Sequence, residues 1–276
     1  MVKKQDNHRD LDQVNEELIR YVKPLTYPIA FKMLTSADQV PEIAKTPLKN
    51  WGKRDMLCKC VTAARRYGWI MACGKEDNIC SSVSVAFGFY SPSPAFLEGE
   101  FQAPIQKIYK EERAKERQAM PKFEYGKYSH TLIVPLFRAK SIFHEDFMPD
   151  VIALYALPAQ VLHLTEGLPA SEVQAVAMGG ACINTVVRTM LTDKISVIMP
   201  CPGDRIAGGT QDWEVIFSMP TSKVDFVMTR LEETNKARHR YPIPTQIAFD
   251  SSMLPESYHA CQSELEEYEK TVRVKK

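Results

Sequence analysis

Four cysteines, Cys58, Cys80, Cys182 and Cys201, stand where a reactive or metal-binding thiolate could act. A thiolate is a nucleophile and a soft metal ligand, and nearby cations or a helix start favour it. Cys58 falls on a helix expected around Arg54 to Tyr67, which Gly68 would end. With a turn every ~3.6 residues, Met56, Leu57, Cys60, Val61 and Ala64 form one apolar stripe, so Cys60 reads as a structural residue. Cys58 lies off that stripe, on the side of Thr62 and Arg65. Arg65 is two turns on, a rise of about 11 Å. If its guanidinium reaches back, it favours a thiolate at Cys58; the plainer reading is a half-buried cysteine beside a surface arginine.

The other three cysteines border expected helix starts or loops. Asp77-Asn78-Ile79-Cys80 reads as a capped start to a short helix. Cys182 follows Gly179-Gly180 and opens a helix to Leu191, off the Ile183, Val187, Met190 stripe. A helix start stabilises an anion, which makes Cys182 the candidate nucleophile; a tight strand-to-helix turn explains the glycines equally well. Cys201-Pro202-Gly203-Asp204-Arg205 leaves a strand directly, and Gly208-Gly209-Thr210 extends the loop. Loops at the carboxyl ends of strands hold ligands in open α/β sheets, and glycines there allow a cradle of N–H groups for an anion. Asp204-Arg205 would alternatively be an ion pair closing the turn.

Complete catalytic signatures are missing from the sequence. Cys58-Lys59-Cys60 has no second close pair to make a zinc site. The histidines, His8, His130, His144, His163, His239 and His259, form no metal-binding spacing. No Gly-x-Ser-x-Gly elbow, dinucleotide fingerprint or phosphate-binding P-loop is present.

The elements that must position these residues alternate. Helical spacing covers Asp10 to Val22, Gln106 to Gln118, Cys182 to Leu191 and Val224 to Leu231. Strands are expected at 27–34, 69–72, 131–136, 151–155, 173–178, 195–199 and 213–219. This alternation predicts an α/β or α+β fold, a mixed β-sheet with flanking helices. Residues 1–235 form one domain, and 100–125 is where it would divide into two subdomains. Residues 236–276 form a polar extension ending in a charged helix around Glu256 to Lys270.

The chain has 276 residues, 45% hydrophobic and 25% charged, which is enough to bury a core. Seven cysteines, an odd count without a signal-like apolar run, argue against a disulfide framework and for the cytoplasm. A formal net charge of +1 gives no nucleic-acid footprint. No apolar run approaches the ~18 residues of a membrane span.

Taken in order, several segments resemble a known family. They are Pro28-Ile29-Ala30-Phe31-Lys32, Cys58 with Arg65 seven residues on, and Cys80 followed by Phe87-Gly88-Phe89. Pro149-Asp150-Val151, Pro158-Ala159-Gln160, Gly179-Gly180-Ala181-Cys182 and Gly203-Asp204-Arg205 complete the series. Over about residues 15–235 the chain resembles the uncharacterised prokaryotic family called domain of unknown function 169. The resemblance implies oxygen-sensitive, thiolate-ligated chemistry of anaerobic metabolism. The chain departs from the family's pattern at Ser81 and Ser82, where glycines often follow the second cysteine.

Three functions follow as expectations. In the first, Cys58, Cys80, Cys182 and Cys201 line a pocket for an iron–sulfur cluster or other metal cofactor. Arg65 and Arg205 then offset charge or bind an anionic substrate. In the second, Gly203, Asp204 and Arg205 bind a small anionic metabolite in a non-catalytic module, and the charged helices at 106–118 and 256–270 dock a protein partner or a second copy. In the third, Cys182 is the nucleophile of a metal-free enzyme.

Overall fold

The computed structural model describes residues 9–100, 109–237, 239–242 and 256–273. The expected charged N-terminus, the start of the helix at Gln106 and the prolines of the C-terminal extension beyond Pro242 lie outside the described residues. The chain divides into two units, residues 1–242 and 243–276.

Seven strands make one sheet in the first unit: β1 Ile29–Leu34, β2 Met71–Gly74, β3 His130–Pro135, β4 Val151–Ala156, β5 Val173–Val176, β6 Ile195–Ile198 and β7 Val215–Pro220. Their order is β2-β3-β1-β4-β7-β6-β5. All neighbours are antiparallel except β5 and β6, so the sheet is mixed. The helices among the described residues are α1 Leu11–Tyr21, α2 Pro47–Trp51, α3 Leu57–Tyr67, α4 Ser81–Ala86, α5 Pro94–Leu97, α6 Lys110–Ala119, α7 Pro158–Thr165, α8 Thr189–Thr192, α9 Pro202–Ile206 and α10 Val224–Lys236. The second unit contains α11 Glu256–Arg273, the charged C-terminal helix.

The inner strands β1, β3, β4 and β7 are mostly apolar because both faces of the sheet are covered there; the edge strand β5 is only partly buried. On one face Phe31, Ile133, Val151, Ala153, Tyr155 and Ile216 meet α3, α4 and the segment after Cys182. On the other, Ala30, Leu132, Ile152, Leu154 and Phe217 meet α1, α7 and α10. Alternate residues of β4 therefore serve opposite layers, and Tyr155 is on the face of α3. The result is a three-layer arrangement of helices, mixed sheet and helices.

Three local expectations need correction. The helix around Arg54 starts only at Leu57, because Asp55 bridges to the 77–79 turn: its N–H donates to the Asp77 carbonyl at 2.8 Å, and its carbonyl accepts from Ile79 N–H at 3.1 Å. The 201–210 segment is not a plain loop; it holds the short helix α9, with Cys201 as its N-cap. The helix through Cys182 is not uniform either. Ile183–Arg188 is π-helical before α8 completes it. Thr189 fixes this wider turn: its hydroxyl reaches the Asn184 carbonyl, five residues back, at 3.2 Å, and meets Ser196 of β6 and Ser218 of β7 at 2.8 Å each.

Phe31, 1% exposed, sits on β1 between Ile133 of β3 and Val151 of β4. Phe31→Ala is expected to lower the unfolding free energy by about 3–5 kcal/mol, read from urea denaturation.

Candidate functional site

The helical layer over Tyr155 brings together residues far apart in sequence. Cys58 and Arg65 come from α3, Cys80 caps α4, Cys182 precedes the π-helical turn, and Cys201 and Asp204 come from α9 and its cap. Cys58, Cys182, Asp204 and Arg65 are all buried. The Cys58 thiol donates to the Gly203 carbonyl at 3.8 Å, and Asp204 N–H donates to Cys201 Sγ at 3.4 Å. The four cysteines singled out by sequence thus share one neighbourhood, in which Cys58, Cys80 and Cys182 each sense the charge of at least one other cysteine, Cys201 among them. Among the described residues, no three His, Cys, Asp or Glu side chains form a group that could hold one metal ion.

Arg65 is not at the surface. Its guanidinium forms a fork with Glu214, Nη1 to Oε1 at 2.6 Å and Nη2 to Oε2 at 3.0 Å, and lies 4.1 Å from the centre of the Tyr155 ring. Glu214 also accepts from Gln211 N–H at 2.7 Å and from Arg66 at 3.4 Å. Burial pushes the Glu214 carboxyl up, but hydrogen bonds from Arg65 and Gln211 and the charges of both arginines outweigh it and hold it below its ordinary value. The charge of Arg65 is therefore met by Glu214. Its expected role of offsetting thiolates or binding an anionic substrate gives way to a clamp between α3 and the start of β7.

The 201–210 segment also differs from expectation. Arg205 turns outward and pairs with Asp212, so no Asp204–Arg205 pair closes the turn. Asp204 is 1% exposed; its Oδ2 accepts from Thr210 Oγ1 at 2.8 Å, while Oδ1 has no hydrogen-bond partner. Burial raises its carboxyl above the ordinary value, and the hydrogen bond from Thr210, the charge of Arg65 and the neighbouring Tyr155 hydroxyl only partly oppose this. A glycine is required at 208, where a Cβ would lie 2.5 Å from Asp204 Oδ1 and 2.6 Å from its carbonyl oxygen. The N–H groups of Ala207, Gly208 and Thr210 are spent on carbonyls within the turn. Its glycines present carbonyls instead, Gly203 to Cys58 and Gly208 to the Thr62 hydroxyl. The expected cradle of N–H groups at Gly203, Asp204 and Arg205 is not what this turn offers.

The thiols are held protonated. Burial raises Cys182 well above its ordinary value, and Cys58, Asp204, Cys201 and Cys80 add to the rise. Cys58 is raised by burial, then by Asp204, Cys201 and Cys80. Cys80 is raised by burial against opposing backbone hydrogen bonds. The expected thiolate at Cys182 is thus opposed by its surroundings: the chain is already helical from Ala181, and desolvation dominates. Sequence reasoning passed over Glu214 and Tyr155, which read as ordinary members of strands. A carboxylate between Trp213 and Val215, at the edge of an apolar run, was the one available signal for a buried partner.

A covered mixed sheet with a cysteine-rich layer over its central strands defines the class of protein. The family model of domain of unknown function 169, described as uncharacterised ArCR, matches residues 17–230, and the chain belongs to this family. No curated protein and no solved structure matches the chain.

Two outcomes follow. Arg65→Met leaves Glu214 buried with the Gln211 N–H and, as its remaining cation, the longer contact to Arg66, and should cost about 3–5 kcal/mol of stability in urea denaturation. Adding Glu214→Leu should restore much of it, because no unpaired charge then remains. The second concerns pH in the reduced, metal-free protein. The raised thiols stay protonated in the folded chain, while in the unfolded chain they ionise near 9.0. Above that pH the unfolded state binds fewer protons, so stability, intact below pH 9, falls by up to about 1.4 kcal/mol per pH unit for each thiol. Cys182→Ala should make the decline measured in melts between pH 8 and 10.5 shallower.

Proposed function

We propose that Cys58, Cys80, Cys182 and Cys201 hold an iron–sulfur cluster, in a protein of redox metabolism. The observation that carries this reading is convergence. Four cysteines spread from position 58 to position 201 meet over one strand, beside a carboxylate. Four thiolates are the ligand set of the common clusters, and ligands drawn from distant parts of a chain are compatible with them.

The donor set fits this group chemically. In the free protein Cys58, Cys80 and Cys182 are kept neutral by burial and by their neighbours. A cation among them reverses that logic, because a coordinated thiol gives up its proton. Cys58, Cys80, Cys182 and Cys201 would hold the cluster through more than one iron, so the four sulfurs need not close around a single ion. When bound, the cluster supplies one-electron chemistry. The chain's part is to exclude water through the Tyr155 face and to hold Cys58 and Cys201 at Gly203. Asp204, its carboxyl raised by burial and its Oδ1 unpartnered, stands beside the thiols.

Anaerobic purification, a visible absorption spectrum and assays of iron and acid-labile sulfide test this. Stoichiometric iron and sulfide are expected, with at least a halving of iron in Cys58→Ser, Cys182→Ser and Cys201→Ser. A colourless protein after anaerobic reconstitution, or iron content unchanged in all single variants, overturns the reading.

A further inference from the structure

The outer side of α3 carries a second feature, separate from the thiols on its inner side. A surface cavity of about 320 Å³ lies between α2, α3 and the residue that follows α9. Its walls include Trp51, Tyr67 and Trp69, and Thr62, Ala63 and Ala207 contribute to its lining. Large aromatic side chains left open in one place are unusual, since burying them is the default. Trp51 is 40% exposed and Tyr67 is 67% exposed. The Tyr67 and Trp69 rings stand 5.7 Å apart and tilted by 43°, a corner rather than a closed stack.

Charge around the cavity is unbalanced. Lys53 and Lys59 line it, with Asp55 as the acidic member, and Asp55 is already paired with Lys59 at 2.9 Å. A third lysine, Lys45, stands 3.9 Å from the centre of the Trp69 ring, covering one face and drawing the ring's electrons away from the other. Among the described residues, Lys53 is the lining cation with no carboxylate partner. Aromatic walls with a cationic rim match a flat ring that carries negative charge. The volume, near the lower end for small-molecule sites, suits a two-ring system better than a larger one.

We propose that this cavity binds a planar, two-ring aromatic anion of the purine nucleotide type, with the ring among Trp51, Tyr67 and Trp69 and the phosphate toward Lys53. The site requires neither a metal nor the cysteines, so it stands or falls apart from the cluster.

The test uses the full-length, metal-free protein with adenosine monophosphate, adenosine and inorganic phosphate as probes, by calorimetry and tryptophan fluorescence. Saturable binding of the nucleotide is expected, about fivefold or more tighter than adenosine, with phosphate alone not binding. Stacking on one aromatic face predicts that Trp51→Ala weakens both purine probes about tenfold. Lys53→Glu should remove the preference for the nucleotide and leave adenosine unchanged. Both positions are exposed, and circular dichroism checks that the variants remain folded. No binding of either purine at millimolar concentration, binding unaffected by both variants, or phosphate binding as tightly as the nucleotide overturns the proposal.

Discussion

The buried pair between Arg65 and Glu214 governs the arrangement of this layer. Removing two charges from water is costly, and the attraction between them repays it only when the geometry is good and the remaining donors and acceptors are occupied. Here the fork is two-pronged, Gln211 supplies a further N–H to Glu214, and the Tyr155 ring lies against the guanidinium; Nε of Arg65 is the one buried donor of the pair left without a hydrogen-bond partner. The pair thereby sets the rotation of α3. Cys58 lies seven residues before Arg65, almost two full turns, so the same rotation brings its sulfur to Gly203.

Because this pair neutralises itself, it lends little positive charge to its surroundings. Asp204 and the four cysteines then face one another with no cation committed to them in the structure. Asp204, Cys58, Cys80 and Cys182 are all raised, by burial first; Asp204 and neighbouring cysteines add to the rise at Cys58 and Cys182, Cys201 adds to it at Cys80, and at Asp204 the addition comes from Glu214. The site stores protons, and whatever cation entered it would displace them.

The sheet was legible because most of its strands are covered on both faces and read as short apolar runs bounded by proline, glycine or polar residues. All seven expected strands have a counterpart, with β2 displaced by two residues to Met71–Gly74 and the partly buried edge strand β5 ending at Val176. The gathering of cysteines was legible only as suspicion, since spacing along a chain does not say which turns meet over β4. Glu214 and Tyr155 were hidden for a different reason. A strand's alternation assigns Tyr155 to a face but not to a guanidinium, and nothing near Glu214 in sequence names a partner 149 residues away. The wide turn after Cys182 was hidden as well, because its cause is the meeting of Thr189 with Ser196 and Ser218 on two strands.

That wide turn lets the cysteine layer tolerate a change of length. π-Turns occur mostly as local widenings of an otherwise α-helical run. With i→i+5 in place of i→i+4 bonding, Ile183–Arg188 turns through about as much with its extra residue as a regular α-helix does without it. Loss of one residue there would close the run into an α-helix, with Thr189 still tied to the sheet, and leave the residues before it facing as they do now. Cys182 would keep its neighbours. In a lineage of related chains a gap in this helix would be silent for the site, and counting positions along the chain would misplace the cysteine against its partners.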